Sequence, residues 1–263
     1  MFFNKFIKLN LRLSISKLSI LLVLFLTFSQ STLAKKFYVC SAYLSGPFVT
    51  DENDRLGLLY TFTDFLNKKA QNKYSFEVLV LPRSRLLLEL KLTDHCIVPF
   101  VSYKWFDTSK QLYYWSQPLL NDANIILSSQ DKKLESIAKE RVAGMSTSQV
   151  IGFFDDQIDA LIKDNTVSAF NSLSLENSVG MVARKRIDFI VSGEIPVQYL
   201  IHKHQIQDKV YLSKNTTTTF ERSVLLPKSN PQLIEFVEQQ IGVLKSSSEW
   251  QQALAQFEIN DNG

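Results

Sequence analysis

Short apolar runs alternate with amphipathic helical segments along most of this 263-residue chain, and this alternation constrains its fold more than any other feature. Three apolar runs, at 36–41, 76–81 and Cys96–Val101, predict buried strands. Between them, 57–69 has apolar residues at helical spacing, and Arg83–Leu92 is a leucine-rich helical segment. The order β-α-β-α-β indicates a mostly parallel sheet with right-handed crossovers, so we expect an α/β protein.

A second unit of the same kind follows residue 131. Ser146 and Thr147 are typical helix-capping residues, so we predict that they open a helix ending near Lys163. After Val210 the chain turns back through an extended linker, and its last elements are left over to complete the first unit. The remaining predicted elements are strands at 141–145, 167–170, 186–192 and 221–226, and helices at 175–185, 197–204, 231–244 and 248–257.

The first 34 residues have the features of a cleavable secretory signal. A basic segment precedes an apolar run at 18–28, which is too short to span a bilayer comfortably. Residues 32–34 resemble a signal-peptidase cleavage site. An uncleaved anchor is the alternative, and the small residues before Lys35 argue against it. We therefore expect a periplasmic protein that starts near Lys35.

The basic charge of the chain belongs to this leader. The full sequence has 29 basic and 26 acidic residues, and removing the four basic residues of 1–34 leaves 25 against 26. The remaining chain is near neutral. This balance gives no support for nucleic-acid binding, which requires a clustered basic patch.

The two cysteines, Cys40 and Cys96, suggest a disulfide in an exported protein. Two buried free thiols are the alternative. His95, His202 and His204 do not form a metal-binding spacing with the cysteines, so we expect neither a metal nor a cofactor.

Several residues are candidates for binding a small molecule, because a strand that ends in a loop of aromatic and charged residues is a common way for α/β folds to build a site. Each also has a purely structural explanation, which is packing for the aromatic residues, solvent exposure for the charged ones and helix capping for Ser146 and Thr147. The candidates are Tyr43, Phe48, Tyr103 and Trp105 for stacking, Arg83, Arg85, Ser146 and Thr147 for an anion, and Glu194 for a ligand cation.

Six short pieces stand in order along the chain, at 46–48, Gly57, 114–119, 144–147, 182–190 and 226–233. Together they resemble the bacterial periplasmic solute-binding proteins of the amino-acid-transporter type (family 3). The resemblance implies a type II fold, in which two α/β lobes with mixed, mostly parallel sheets are joined by two crossing strands and hold ligand between them. Lobe 1 would comprise 35–127 and 219–263, and lobe 2 would comprise 128–218.

Two positions depart from the family pattern. The resemblance implies an arginine that clamps the ligand's α-carboxylate, but counting back from Ser116 places Ser109 there. It also implies an aspartate for the α-amino group, but counting forward from Asp188 reaches Gly193, with Glu194 next to it. The resemblance therefore does not extend to the residues that would hold an ordinary α-amino acid.

The resemblance predicts a monomeric, non-catalytic protein that captures a small polar solute by hinge closure. The solute would be amino-acid-like, or otherwise anionic or zwitterionic, and its partner an ABC permease or a membrane sensor. One alternative is an adaptor for a membrane signalling protein. The other is a dehydratase-like enzyme, for which Glu194 and His95 are the acid–base candidates.

Overall fold

The computed structural model describes residues 34–42, 46–150 and 155–259. The chain divides into Met1–Lys35 and Lys36–Gly263, and the second unit contains the fold. The predicted signal peptide lies outside the described residues except for Ala34. No helix in the described part is long and apolar enough to cross a membrane.

The described residues form ten strands, eight α-helices and one 3-10 turn, Tyr103–Trp105. The strands are β1 (Lys35–Ser41), β2 (Tyr74–Val80), β3 (Cys96–Val101), β4 (Tyr113–Trp115), β5 (Leu120–Ser129), β6 (Ser146–Val150), β7 (Ser168–Ser172), β8 (Phe189–Gly193), β9 (Val210–Leu212) and β10 (Thr218–Pro227). The helices are α1 (Leu58–Lys69), α2 (Arg83–Leu92), α3 (Lys139–Val142), α4 (Asp156–Lys163), α5 (Leu175–Ala183), α6 (Glu194–His204), α7 (Pro231–Lys245) and α8 (Ser248–Gln256).

The strands are ordered β2-β1-β3-β10-β5-β8-β6-β7, with β4 paired to β10 and β9 paired to β5. Pairing is parallel between β1 and β3 and between β6 and both of its neighbours, whereas β5 and β10 pair antiparallel throughout. The mixed sheet flanked by helices agrees with the predicted fold class.

Strands β5 and β10 connect two halves of the molecule. The first residues of β10 pair with β5, and its later residues pair with β3 and β4. The far part of β5 pairs with β8 and β9. We call β1–β4 with their helices and α7–α8 the first half, and β6–β9 with their helices the second half.

The core of the first half contains the apolar face predicted for α1. Leu58, Leu59, Phe62 and Leu66 are fully buried and Phe65 is nearly so, and each such side chain contributes about 1.5–3 kcal/mol by leaving water. Helices α7 and α8 pack on the same core. Asn230 caps α7 by accepting a hydrogen bond from the Leu233 N–H, as its sequence position predicted.

The second half has a core on each face of its sheet. Ile125 and Leu127 of β5 belong to one core, and Ile126 between them belongs to the other. This follows from the geometry of a strand, whose successive side chains point to opposite faces. It explains why the middle of β5 is continuously apolar.

The predicted disulfide joins Cys40 of β1 to Cys96 of β3. These strands are neighbours, with Tyr38 opposite Cys96, and the two cysteine Cα atoms are 5.8 Å apart. Both residues are buried in one apolar cluster with Leu86 and Leu90 of α2.

The prediction for 141–148 was wrong. Lys139–Val142 is a short helix, and Ser146–Val150 is the strand β6, so Ser146 and Thr147 do not lie at a helix N-terminus. Both residues pair in parallel with β7. The capping potential of Ser146 is used differently, because its N–H and hydroxyl donate to Asp188 at 2.8 and 2.9 Å.

Candidate functional site: a cavity where the two halves meet

A cavity of about 730 Å³ lies at the crossing of β5 and β10. Its described lining comes from both halves, and its size suits a small-molecule ligand. The 3-10 turn contributes from the first half and α6 from the second. The lining residues are Tyr103, Lys104, Asn121, Asp122, Ala123, Glu194, Ile195, Gln198, Thr219, Phe220, Glu221 and Ile259.

A buried ion pair joins the two crossing strands beside this cavity. Asp122 lies opposite Phe220, so Arg222 is its diagonal neighbour on β10. The Nε and Nη2 atoms of Arg222 donate to Asp122 Oδ2 at 2.8 and 2.6 Å. The Arg222 and Asp122 side chains are 2% and 0% exposed, so this charge pair is almost completely removed from water.

The same ion pair holds one element of each half. Arg222 Nη1 donates to the carbonyl of Phe100 at the end of β3, at 2.8 Å. Asp122 Oδ1 accepts a hydrogen bond from the Ile195 N–H in the first turn of α6, at 3.2 Å. The pair therefore fixes the end of β3, which Tyr103 follows, and the start of α6, where Glu194 lies.

Backbone strain at Phe100 turns its carbonyl toward Arg222. The β3–β10 register shifts here, because two residues of β10 span three of β3, and Pro99 has no N–H for the ladder. Phe100 has a φ of +63°, which is costly for a bulky side chain. Burial of its ring against Phe48 and Trp250 holds it in this conformation.

Glu194 begins α6 directly after β8 and lies half-buried on the cavity wall. Its carboxylate accepts a hydrogen bond from the side-chain amide of Gln198 at 2.8 Å. Burial, and then the nearby charge of Asp122, raise the pKa of Glu194 above its ordinary value of 4.5. Both effects disfavour the ionised form of Glu194.

Asp107 organises the loop that follows Tyr103 and Lys104. Its carboxylate accepts hydrogen bonds from the N–H groups of Gln111, Leu112 and Tyr113 and from the hydroxyl of Ser109. Burial alone would raise the pKa of Asp107, but these hydrogen bonds outweigh it and the pKa is lowered. The loop is thus held by one buried carboxylate.

The N-terminus of α4 carries its own negative charge. Asp155 accepts hydrogen bonds from the N–H groups of Gln157 and Ile158, and its second oxygen accepts one from Asn124 of β5. A helix N-terminus normally favours an anion. Here Asp155 occupies that position.

Helix α6 also contacts the first half along one stripe. Ile195 packs against the first-half core, and the ring of Tyr199 contacts Phe257 edge-on at 5.9 Å. A Cβ on Gly46 would lie 2.2 Å from Tyr199 Cε1, so this close approach requires glycine. His202 pairs with Glu258 at the end of the stripe.

The structure brings two of the sequence-predicted residues, Tyr103 and Glu194, to the cavity. Trp105 lies behind the wall, where its ring meets that of Phe220 at 5.1 Å and its carbonyl accepts from Arg83. Tyr43 lies outside the described residues.

The structure places the other predicted residues elsewhere. Phe48 is fully buried against Phe100 and Arg222, so it is a core residue rather than a stacking surface. The exposed Arg85 pairs with Glu89 one helical turn away. Ser146 and Thr147 begin β6, whereas ligands of parallel sheets bind beyond the carboxyl ends of the strands, and Thr147 is fully buried.

Sequence reasoning missed the contribution of the crossing strands to the cavity. A signal was present, because Asp122 and Arg222 carry opposite charges close to the apolar segments 125–127 and 224–226. Such residues are buried only when paired. Searching the two predicted hinge strands for complementary charges would have found them.

Comparisons with known proteins support the fold. A scan of protein-family models and a search of curated proteins find no match. A solved structure from work on glutathione import via GshT and the cystine importer TcyBC of Streptococcus mutans aligns with a TM-score of 0.72 at 16% identity, over 85% of this chain and 95% of that one. A variant of ArgBP from T. maritima aligns with a TM-score of 0.69 at 15% identity, over the same shares of each chain.

A third structure is a histidine kinase sensor domain described as similar to periplasmic binding proteins. It aligns with a TM-score of 0.68 at 12% identity, over 86% of this chain and 96% of that one. At such identities the likeness establishes the fold. The chain therefore has the periplasmic-binding-protein fold that its sequence resemblance predicted.

Proposed function

We propose that this protein captures a small polar solute in the cavity at the crossing of β5 and β10. One observation carries the proposal: Tyr103 and Lys104 of the first half and Glu194 and Gln198 of the second line the same cavity. A ligand that bridges both walls stabilises the arrangement in which they face each other. Rotation about β5 and β10 would then open and close the site, as in other hinged binding proteins.

The domain boundaries predicted from the sequence belong to this proposal. Residues 35–127 and 219–263 would move as lobe 1, and 128–218 as lobe 2. Residues 1–34 would direct export to the periplasm and be removed. The monomeric protein would then deliver its solute to an ABC permease.

A second candidate function is presentation of the ligand to a membrane sensor. The likeness to a histidine kinase sensor domain favours it, because this fold also occurs within signalling proteins. An enzymatic role has less support. His95 precedes β3 whereas the cavity lies beyond the other end of that strand, so the two predicted acid–base residues are not side by side.

A thermal-shift screen tests solute capture, because a ligand that binds only the folded protein raises the unfolding midpoint. The panel holds amino acids, small carboxylates, amines and oligopeptides, added to protein freed of co-purified ligand by unfolding and refolding. We expect a hit that is lost in Tyr103→Ala and kept in Arg85→Ala, whose side chain lies in solvent. Absence of a hit in every class, from protein that refolds fully, would contradict the proposal.

A further inference from the structure

The charges around the cavity are unequal, and this bears on the class of ligand. Lys104 is the one cationic side chain among the described lining residues, which also include the carboxylates of Glu194 and Glu221. Asp122 is offset by Arg222. The undescribed internal residues, 43–45 and 151–154, carry no charged side chain in the sequence. The cavity therefore has a net negative wall.

Glu194 is the half-buried carboxylate of this wall, and no lysine, arginine or histidine of the described chain forms an ion pair with it. Its hydrogen bond comes from the neutral amide of Gln198. A partly buried carboxylate without a cation is unfavourable. A protonated amine on the ligand would supply the missing charge and further hydrogen-bond donors.

The groups suited to an incoming carboxylate are already engaged. Arg222 binds Asp122 and the Phe100 carbonyl, and Arg83 donates to the Trp105 carbonyl. The N-terminus of α4 is capped by Asp155, whose charge would repel an anion. Lys104 remains, but a lone exposed ammonium lacks the planar fork that clamps a carboxylate.

From this layout we infer that the ligand is an organic amine recognised by Glu194, and that it needs no α-carboxylate. The inference rests on the proposed function and narrows the solute to alkyl amines, diamines or guanidines. Glu194 would accept hydrogen bonds from the ligand's cationic nitrogen. Lys104 lines the same cavity. Its ammonium group would donate a hydrogen bond to a neutral acceptor on the ligand, so the ligand needs no anionic group.

Matched pairs of ligands that differ only in the carboxylate test this inference. The pairs are L-lysine with cadaverine, L-ornithine with putrescine, and L-arginine with agmatine, each titrated by calorimetry into refolded protein. We expect the amine of at least one pair to bind about tenfold tighter or more than its amino acid. The amino acid would bury a carboxylate without a matching donor, and one charged hydrogen bond corresponds to about tenfold or more in affinity. Glu194→Gln should weaken that amine by about tenfold or more.

Glu235→Gln is the matched control, because Glu235 is exposed on α7 and does not line the cavity. It should bind the amine as the unmodified protein does. Tighter binding of the amino acid in every pair, or amine binding that Glu194→Gln leaves unchanged, would overturn the inference. If no amine binds but another solute binds in a Tyr103-dependent way, the ligand class is refuted while solute capture stands.

Discussion

Replacing Arg222 by methionine should strongly destabilise the protein. The change leaves the Asp122 carboxylate buried without its cation, and leaves the Phe100 carbonyl without its side-chain donor. Removing one partner of a buried ion pair typically costs about 3–5 kcal/mol. Since a domain has only about 5–15 kcal/mol of net stability, the change removes a large share of it.

A second substitution separates the cost of the unpaired Asp122 charge from the cost of lost packing around Arg222. In Asp122→Leu/Arg222→Met neither charge of the pair remains, so we expect most of the lost stability to return. Arg85→Met is the matched control, because the Arg85 side chain is exposed and its ion pair with Glu89 is 3.9 Å long. This substitution should change stability by about 0.5 kcal/mol or less.

Equilibrium urea unfolding followed by circular dichroism measures these free energies, with the denaturant slope reporting whether the unfolded states are comparable. Two results would refute the reasoning. One is a loss below about 1 kcal/mol for Arg222→Met, the lower end for leaving a buried group unsatisfied. The other is a double variant as unstable as Arg222→Met.

Three further predictions concern single contacts. Gly46→Ala should lower the thermal unfolding midpoint, because the new methyl group would lie 2.2 Å from the Tyr199 ring. Adding Tyr199→Ala to the same chain should restore part of the midpoint, and an equal drop with and without Tyr199 would contradict this. Removing the Cys40–Cys96 bridge, which closes a separation of 56 residues, should cost about 4 kcal/mol in the chain-entropy model, measured by urea unfolding with and without reductant; unchanged stability would show that the bridge does not form. The pKa of Asp107 is lower in the folded protein than its ordinary value of 3.8, so the ionised carboxylate stabilises the fold above that value, and this stabilisation is lost as the pH falls through the folded-state pKa. Between about pH 5 and about pH 3 the urea midpoint of Asp107→Asn should therefore fall less than that of the unmodified protein. Parallel pH profiles of the two midpoints would exclude this role.

The elements that the sequence predicted best are those with a strong local pattern. Arg83–Leu92 and Cys96–Val101 have the predicted bounds, since a proline precedes the first and a continuous apolar run defines the second. The prediction for 141–148 was wrong because Ser146 and Thr147 are compatible both with a helix cap and with a strand. Pairing with β7 and the Asp188 carboxylate decided between them, and neither contact is local in sequence.

The site was harder to predict than the fold for the same reason. Tyr103 was found because it lies in the aromatic loop after a predicted strand. Glu194 was found because it adjoins Gly193, where the family pattern implies an aspartate. Asp122 and Arg222 were missed because they are a hundred residues apart, and their meaning depends on the antiparallel register that sets them diagonally. No single-segment pattern contains that register.

The departure from the family pattern at Gly193 and the buried ion pair have one physical explanation. A Cβ on Gly193 would lie 2.9 Å from Arg222 Nη2 and 3.0 Å from Asp122 Oδ2. A side chain at this position would therefore collide with the ion pair, so the aspartate that the family pattern implies here is incompatible with Arg222 and Asp122 in their present places. The negative charge is found instead one residue later, on Glu194, whose carboxylate lines the cavity rather than the hinge. The pair thus fixes the two walls and excludes an acidic side chain at Gly193. This agrees with our proposal that Glu194, at the start of α6, meets the cation of a ligand that differs from an α-amino acid.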